Sequence, residues 1–332
     1  MSDAMLSPTV AIAADIAAGA LLVIAGTKIK NSRRDNIVPL MGVTGAFIFA
    51  AQMVNFAIPG TGSSGHIVGG VLLAALLGPW AGFLTLASVL IIQCLIFADG
   101  GLMALGCNIL NMGAMTALVA YPLLFKPMLG FDGRRKQSTL KIFSVSILAC
   151  VVGLELGAVL VSLETLMSGV TAIPAGKFFM LMTAIHLAIG VGEGLATGAV
   201  IVFVNKTRPE LLCPDCVQRD KKSIKGAVIA FAVAAVVIAG GLAFLASSDP
   251  DGLEWSIEKV SGSTELQSVA TPLSQGSQAV QNATSIMPDY ENSFSGIVGV
   301  VMVLLVVWSI SSLLMKKRSP AVSRSYRPRS RK

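Results

Sequence analysis

The chain has 332 residues, 54% hydrophobic and 13% charged, with a mean hydropathy of +0.76 and a formal charge of +7. An average soluble domain carries roughly 25% charged residues, so this composition excludes a soluble globular enzyme, a disordered chain and a disulfide-stapled secreted domain. What remains is an all-α polytopic membrane protein, and the excess of basic residues points to cytoplasmic membrane flanks rather than to nucleic acid.

The opening, MSDAMLSPTV, has an acid and no basic region, unlike a secretory signal peptide, so the first apolar stretch is expected to stay in the mature protein. A bilayer crossing takes about 20 mostly apolar residues. Spans are predicted near 9–27, 37–58, 66–78, 79–98, 101–125, 140–162, 178–204, 226–246 and 294–315, about nine in all. The third is short, and Gly78-Pro79-Trp80 either breaks it from the fourth, because proline removes a helix hydrogen bond, or bends the two as one element.

Basic residues test this count. The segments 28–34, 126–141, 206–225 and the tail from Lys316 to Lys332 hold 23 of the 25 Lys and Arg. Nine spans put all four segments on one side, which the positive-inside rule makes cytoplasmic. The N-terminus is then outside and the C-terminus inside, in a multi-pass protein of the inner (plasma) membrane. The outer side keeps Lys177 and Lys259 and the acids Asp249, Asp251, Glu254, Glu258, Glu265, Asp289 and Glu291.

Four parts follow: a seven-span unit at 1–204, a basic cytoplasmic linker at 205–225, a two-helix unit at 226–315 with an outside loop at 247–294, and a basic tail at 316–332. The loop is rich in Ser, Thr and Gln and starts with the turn sequence Asp249-Pro250-Asp251-Gly252.

Enzyme motifs are lacking. There is no phosphate loop (Gly176-Lys177 is followed by Phe178), no H-E-x-x-H and no nucleophile elbow. Transport driven by ATP would therefore need a separate subunit to hydrolyse it. No bound organic cofactor is expected.

His66 sits in PGTGSSGHIVGG, just outside the second span. This glycine-rich loop either folds over a site at the outer face, where an imidazole suits Ni²⁺ or Co²⁺, or caps a helix with an incidental histidine. His186 lies within a span, in HLAIGVGEGLATG, and Glu193 is seven residues on, on the same helix face. The pair reads either as part of an ion pathway or as structural hydrogen bonding between helices. Asp15 and Glu155, also intramembrane, carry the same two readings. In FADGGLMALGCNILNMG, a tight outside hairpin, Asp99, Asn108 and Asn111 either satisfy exposed backbone groups or orient a metal ligand from behind. Cys213 and Cys216 form one C-x-x-C, at most half of a zinc site, whereas Cys94, Cys107 and Cys150 read as small buried hydrophobes.

PLMGVTGAFIFAAQMVNFAIPGTGSSGHIVGG, LLGPWAGF, FADGGLMALGCNILNMG and HLAIGVGEGLATG resemble the CbiM/NikM substrate-binding components of cobalt and nickel energy-coupling factor transporters. PDGLEWSIEKV and MPDYENSFSGIVG resemble the PDGLE-type accessory component, often called NikN. The chain thus resembles a fusion of the two. The resemblance implies a Ni²⁺ or Co²⁺ ion as substrate, held at the extracytoplasmic face by the N-terminal amine, by the backbone nitrogen and imidazole of a histidine after the initiator Met, and by a loop histidine that corresponds to His66. It also implies a transmembrane coupling subunit and ATPase subunits as partners, with membrane lipid around them and no nucleic acid.

The chain departs from that pattern at Ser2, where the family has histidine. Met1-Ser2-Asp3-Ala4-Met5-Leu6-Ser7-Pro8 aligns with the family segment downstream of Met-His-Met, so a Met-His start upstream of Met1 is expected. As written, Met1 offers a displaced amine and Ser2 only a backbone nitrogen, and weak metal binding is expected. Two rivals are an ion-coupled secondary transporter using Asp15, Glu155, His186 and Glu193, and a membrane metal sensor or enzyme without transport.

Overall fold

The computed structural model describes residues 1–31, 37–130, 137–212, 221–264, 266, 271–288 and 293–316. Cys213 and Cys216, the tail beyond 316 and most of the basic residues in the first two loops lie outside the described residues.

The described chain is mostly helical. Its elements are α1 (Pro8–Asn31), α2 (Ile37–Gln52), a hairpin of β1 (Phe56–Ile58) and β2 (Ser63–Gly65), α3 (Gly70–Leu77), α4 (Pro79–Phe97), α5 (Leu105–Leu129), α6 (Thr139–Ser168), α7 (Ala175–Thr207), α8 (Lys221–Gly240), α9 (Gly252–Ser261), α10 (Pro272–Thr284) and α11 (Ser293–Lys316). Five of these, α1 and α4–α7, are long and apolar enough to cross a membrane, and α2, α8 and α11 contain shorter apolar helices.

The expected third span, 66–78, is corrected. Its helix has eight residues, roughly 12 Å at 1.5 Å per residue, against about 30 Å of hydrocarbon. All eight residues are buried in the protein, so their apolarity answers to neighbouring helices rather than to lipid. Residues 66–69, which follow β2, carry no regular structure, and Gly69 takes a φ of 79°. The second span is also shorter than expected, because residues 56–58 pair antiparallel with 63–65, Phe56 opposite Gly65 and Ile58 opposite Ser63. The fifth begins at Leu105 rather than at 101, and its Ile109–Phe125 stretch is wound as a π-helix with Pro122 inside.

Close packing explains the glycine spacing on α7. Gly190, Gly194 and Gly198 recur every four residues and face Val151, Ile147 and Phe143 of α6. A methyl group at Gly190 would stand 2.8 Å from the Cα of Val151, so the seam closes only with small residues, as between helices in membranes.

The 247–294 segment, read from sequence as a loop, holds the two capped helices α9 and α10. Asp251 caps α9 by accepting from the N–H groups of Leu253 and Glu254, and the Glu254 side chain returns to the Asp251 N–H. The segment folds back onto the first unit: Ser247 N–H donates to Asn55 O at 2.8 Å and Met287 N–H to Ile96 O at 3.1 Å.

Candidate functional site

Three segments distant in sequence meet at one end of the helices. The first is the N-terminal turn Asp3–Met5, whose Asp3 accepts from Ala104 N–H at 3.0 Å and from the Ser277 hydroxyl of α10 at 2.9 Å. The second is the 98–104 connection, where Gly100 takes a φ of 77° and Gly101 N–H donates to Met1 O at 3.1 Å. The third is the β-hairpin, which α9 grips: Ser64 N–H donates to Pro250 O at 2.8 Å, Ser64 Oγ to Asp249 O at 2.8 Å, and Trp255 Nε1 to Thr61 O at 3.0 Å.

Between them lies a cavity of about 110 Å³, room for an ion that keeps only part of its hydration shell, since one water occupies about 30 Å³. Met1, His66, Asn108, Asn111, His186 and Asp251 contribute its polar lining, and Met112, Leu154, Val161 and Ile189 are among its apolar walls. The structure therefore brings together five of the residues singled out from sequence. Ser2 is exposed and Asp99 is not part of the lining. Among the described residues no three His, Cys, Asp or Glu side chains converge closely enough to hold an ion by themselves.

His186 has one ring nitrogen committed. Nδ1 lies 2.7 Å from Met182 O, and a carbonyl only accepts, so Nδ1 carries the proton and Nε2 keeps its lone pair. That arrangement is common in metal-binding imidazoles. Asn108 Nδ2 donates to Met1 O at 3.3 Å, so this amide satisfies backbone, one of the two roles its sequence context allowed.

Glu193 does not pair with His186. It is fully buried, and its two oxygens accept from Val68 and Gly69 N–H at 2.9 and 3.0 Å, just past His66. Gln52 Nε2 donates to Val68 O at 3.1 Å and Gln93 Nε2 to Gln52 Oε1 at 2.9 Å. The loop histidine thus stands on a segment tied to α2, α4 and α7. Asp15 also serves structure, accepting from Gly106 N–H at 2.9 Å. Cys94, Cys107 and Cys150 are buried free thiols, as their apolar contexts suggested.

Sequence reasoning gave Asp251 and Gly252 only a place in a turn, and gave Met182 and Glu164 no role. The first two stand in the PDGLE motif, which signalled a relationship but not that it closes the cavity. Outside the helices that cross, burial together with the neighbouring Asp251 carboxylate raises the Glu254 carboxyl above its usual range.

Residues 1–211 match the family CbiM, described as a cobalt uptake substrate-specific transmembrane region. The chain belongs to the CbiM family. Residues 225–316 of this CbiM-family chain match the PDGLE domain. It is 30% identical over 290 residues to a putative fused nickel transport protein NikMN of Archaeoglobus fulgidus, covering 87% of this chain and 91% of that one. It is 30% identical over 269 residues to a probable fused nickel transport protein LarMN of Lactiplantibacillus plantarum, covering 79% of each. A crystal structure described as that of a transition metal transporter superposes with a TM-score of 0.53 at 30% identity, covering 62% of this chain and 92% of that one. Membership in the CbiM family makes this a membrane component of cobalt or nickel transport.

Proposed function

We propose that this chain captures Ni²⁺ or Co²⁺ at the outer face of the membrane and delivers it inward together with separate coupling and ATPase subunits. The observation that carries the reading is the cavity itself. It joins the N-terminal residue, His66 and His186 under a cover supplied by Asp251–Leu253. Nitrogen donors suit d⁸ Ni²⁺ and its neighbours in the first transition row. Relatives spanning both units are named as fused nickel transport proteins, which favours nickel.

The orientation proposed is N-terminus outside and C-terminus inside. The N-terminal turn, the hairpin, the 98–104 connection and α9–α10 gather at one end of the helices, and the Pro209–Leu212 turn before the basic linker packs against α3. In this reading residues 66–69 and the short, protein-buried α3 return the chain across in place of a lipid-facing span, so the alternation of sides is kept.

Metal titration tests the reading on two forms of the full chain, one beginning at Met1 and one with Met-His added in front. Tight binding is expected from the second, and His66→Ala is expected to abolish it. Retention of Ni²⁺ and Co²⁺ with unchanged affinity after that substitution overturns the reading. Uptake into vesicles that survives loss of the ATPase but collapses with an ionophore would instead support an ion-coupled carrier.

A further inference from the structure

One polar pair at the cavity wall is incompletely satisfied by the protein itself. Asn111 lines the cavity and is 3% exposed. Its Nδ2 donates to Glu164 Oε2 of α6 at 2.7 Å, while its Oδ1 is buried with no hydrogen-bond partner among the described residues. An ionised carboxylate only accepts. Glu164 therefore fixes which way the amide lies, with the nitrogen toward α6 and the oxygen left over. A buried acceptor without a donor is unfavourable unless something arrives to fill it.

The surroundings say what would fill it. Asn108, three residues earlier on the same helix, holds the Met1 carbonyl, so the two amides sit beside the N-terminal segment. Glu164 makes no ion pair among the described residues. Its other hydrogen-bond neighbour is the Cys107 thiol, and the positive charge that acts on it is the amino terminus. The wall thus presents an orphan carbonyl acceptor to a cavity that is otherwise largely apolar, with the Glu164 carboxylate directly behind it.

We propose that Glu164 and Asn111 are a positioning pair for the captured cation. Glu164 supplies negative charge and locks the amide, and Asn111 Oδ1 accepts an N–H from a nitrogen ligand of the bound ion. An amine or imidazole bound to a divalent metal is a stronger N–H donor than a free one, so this acceptor orients the ligand only when the ion is present. The inference rests on the transport reading above and deepens it.

The test uses full-length protein purified from its native membrane, titrated with Ni²⁺ and with Co²⁺. Groups that orient a ligand from behind typically change metal affinity by 10–100-fold. Glu164→Gln can donate as well as accept, so it frees the amide to turn over and removes the charge. Asn111→Leu keeps Glu164 and removes the acceptor. Both are expected to weaken binding at least about tenfold and to shift the d–d absorption of the bound ion. Asn111→Leu also leaves Glu164 Oε2 without its donor, so it is expected to lower the metal-free melting temperature as well, whereas Glu164→Gln keeps an acceptor for the amide and is not. Glu164→Asp, which keeps the charge with a shorter reach, is expected to recover part of the affinity. Unchanged affinity and spectrum in both variants, while His66→Ala abolishes binding, overturns the proposal and leaves the transport reading standing. Binding that survives His66→Ala removes the reading itself. Should Glu164→Gln fail to fold, Asn111→Leu decides the matter alone.

Discussion

The carboxylate of Glu193 in α7 is bound to the backbone of Val68, 125 positions earlier, and to Gly69 beside it. It holds the chain two residues beyond His66 against the floor of the bundle. Glu193→Leu would leave two buried N–H groups without acceptors, each costing roughly 1–3 kcal/mol. A markedly lower melting temperature in detergent is expected, with loss of metal binding although His66 is intact. Glu193→Gln keeps one acceptor oxygen and is expected to fall between the two.

Gly252 lets α9 approach the cavity. A Cβ there would stand 2.7 Å from Ile189 Cδ1 and 3.2 Å from His186 Cε1. Gly252→Ala is expected to lift α9 at a cost of roughly 1–3 kcal/mol and to speed metal dissociation, measured by transfer to a chelator. The matching change Gly276→Ala on α10 meets nothing within 4 Å and is expected to leave the rate unaltered.

Ser277 ties α10 to Asp3 at 2.9 Å. Loss of one such bond is worth about 1 kcal/mol, or roughly fivefold in an equilibrium. Ser277→Ala is expected to weaken metal binding by that factor through a looser N-terminal segment. An equal affinity would show that Asp3 is held well enough by Ala104.

Glu254 gives a pH dependence with a definite sign. Its carboxyl is raised from 4.5 by burial and by Asp251, so the folded chain holds this proton more tightly than the unfolded one. Its contribution to stability is therefore greatest in acid and declines as pH rises from 4.5 toward the raised value. Glu254→Gln keeps an oxygen for the Asp251 N–H and is expected to flatten that part of a melting-temperature profile against pH.

Composition and the spacing of apolar runs by themselves determined that this is a helical membrane protein. They located α1 and α4–α7 closely, because a long run of apolar residues has few other solutions in lipid. The glycine-rich stretch around His66 and the amides of α5 were also visible as candidates, since their residue types are unusual beside so many aliphatic ones. Tertiary structure decided the rest. Apolarity at 66–78 reflects burial in protein and not contact with lipid, a distinction no hydropathy window makes. His186 and Glu193 share a helix face, yet one faces the cavity and the other the backbone of Val68 and Gly69, which comes from more than 120 residues away. Asp251 joined the cavity lining, and Glu164 came to hold Asn111 from behind it, only when α9 and α6 packed there, since proximity across a bundle depends on packing and not on position along the chain.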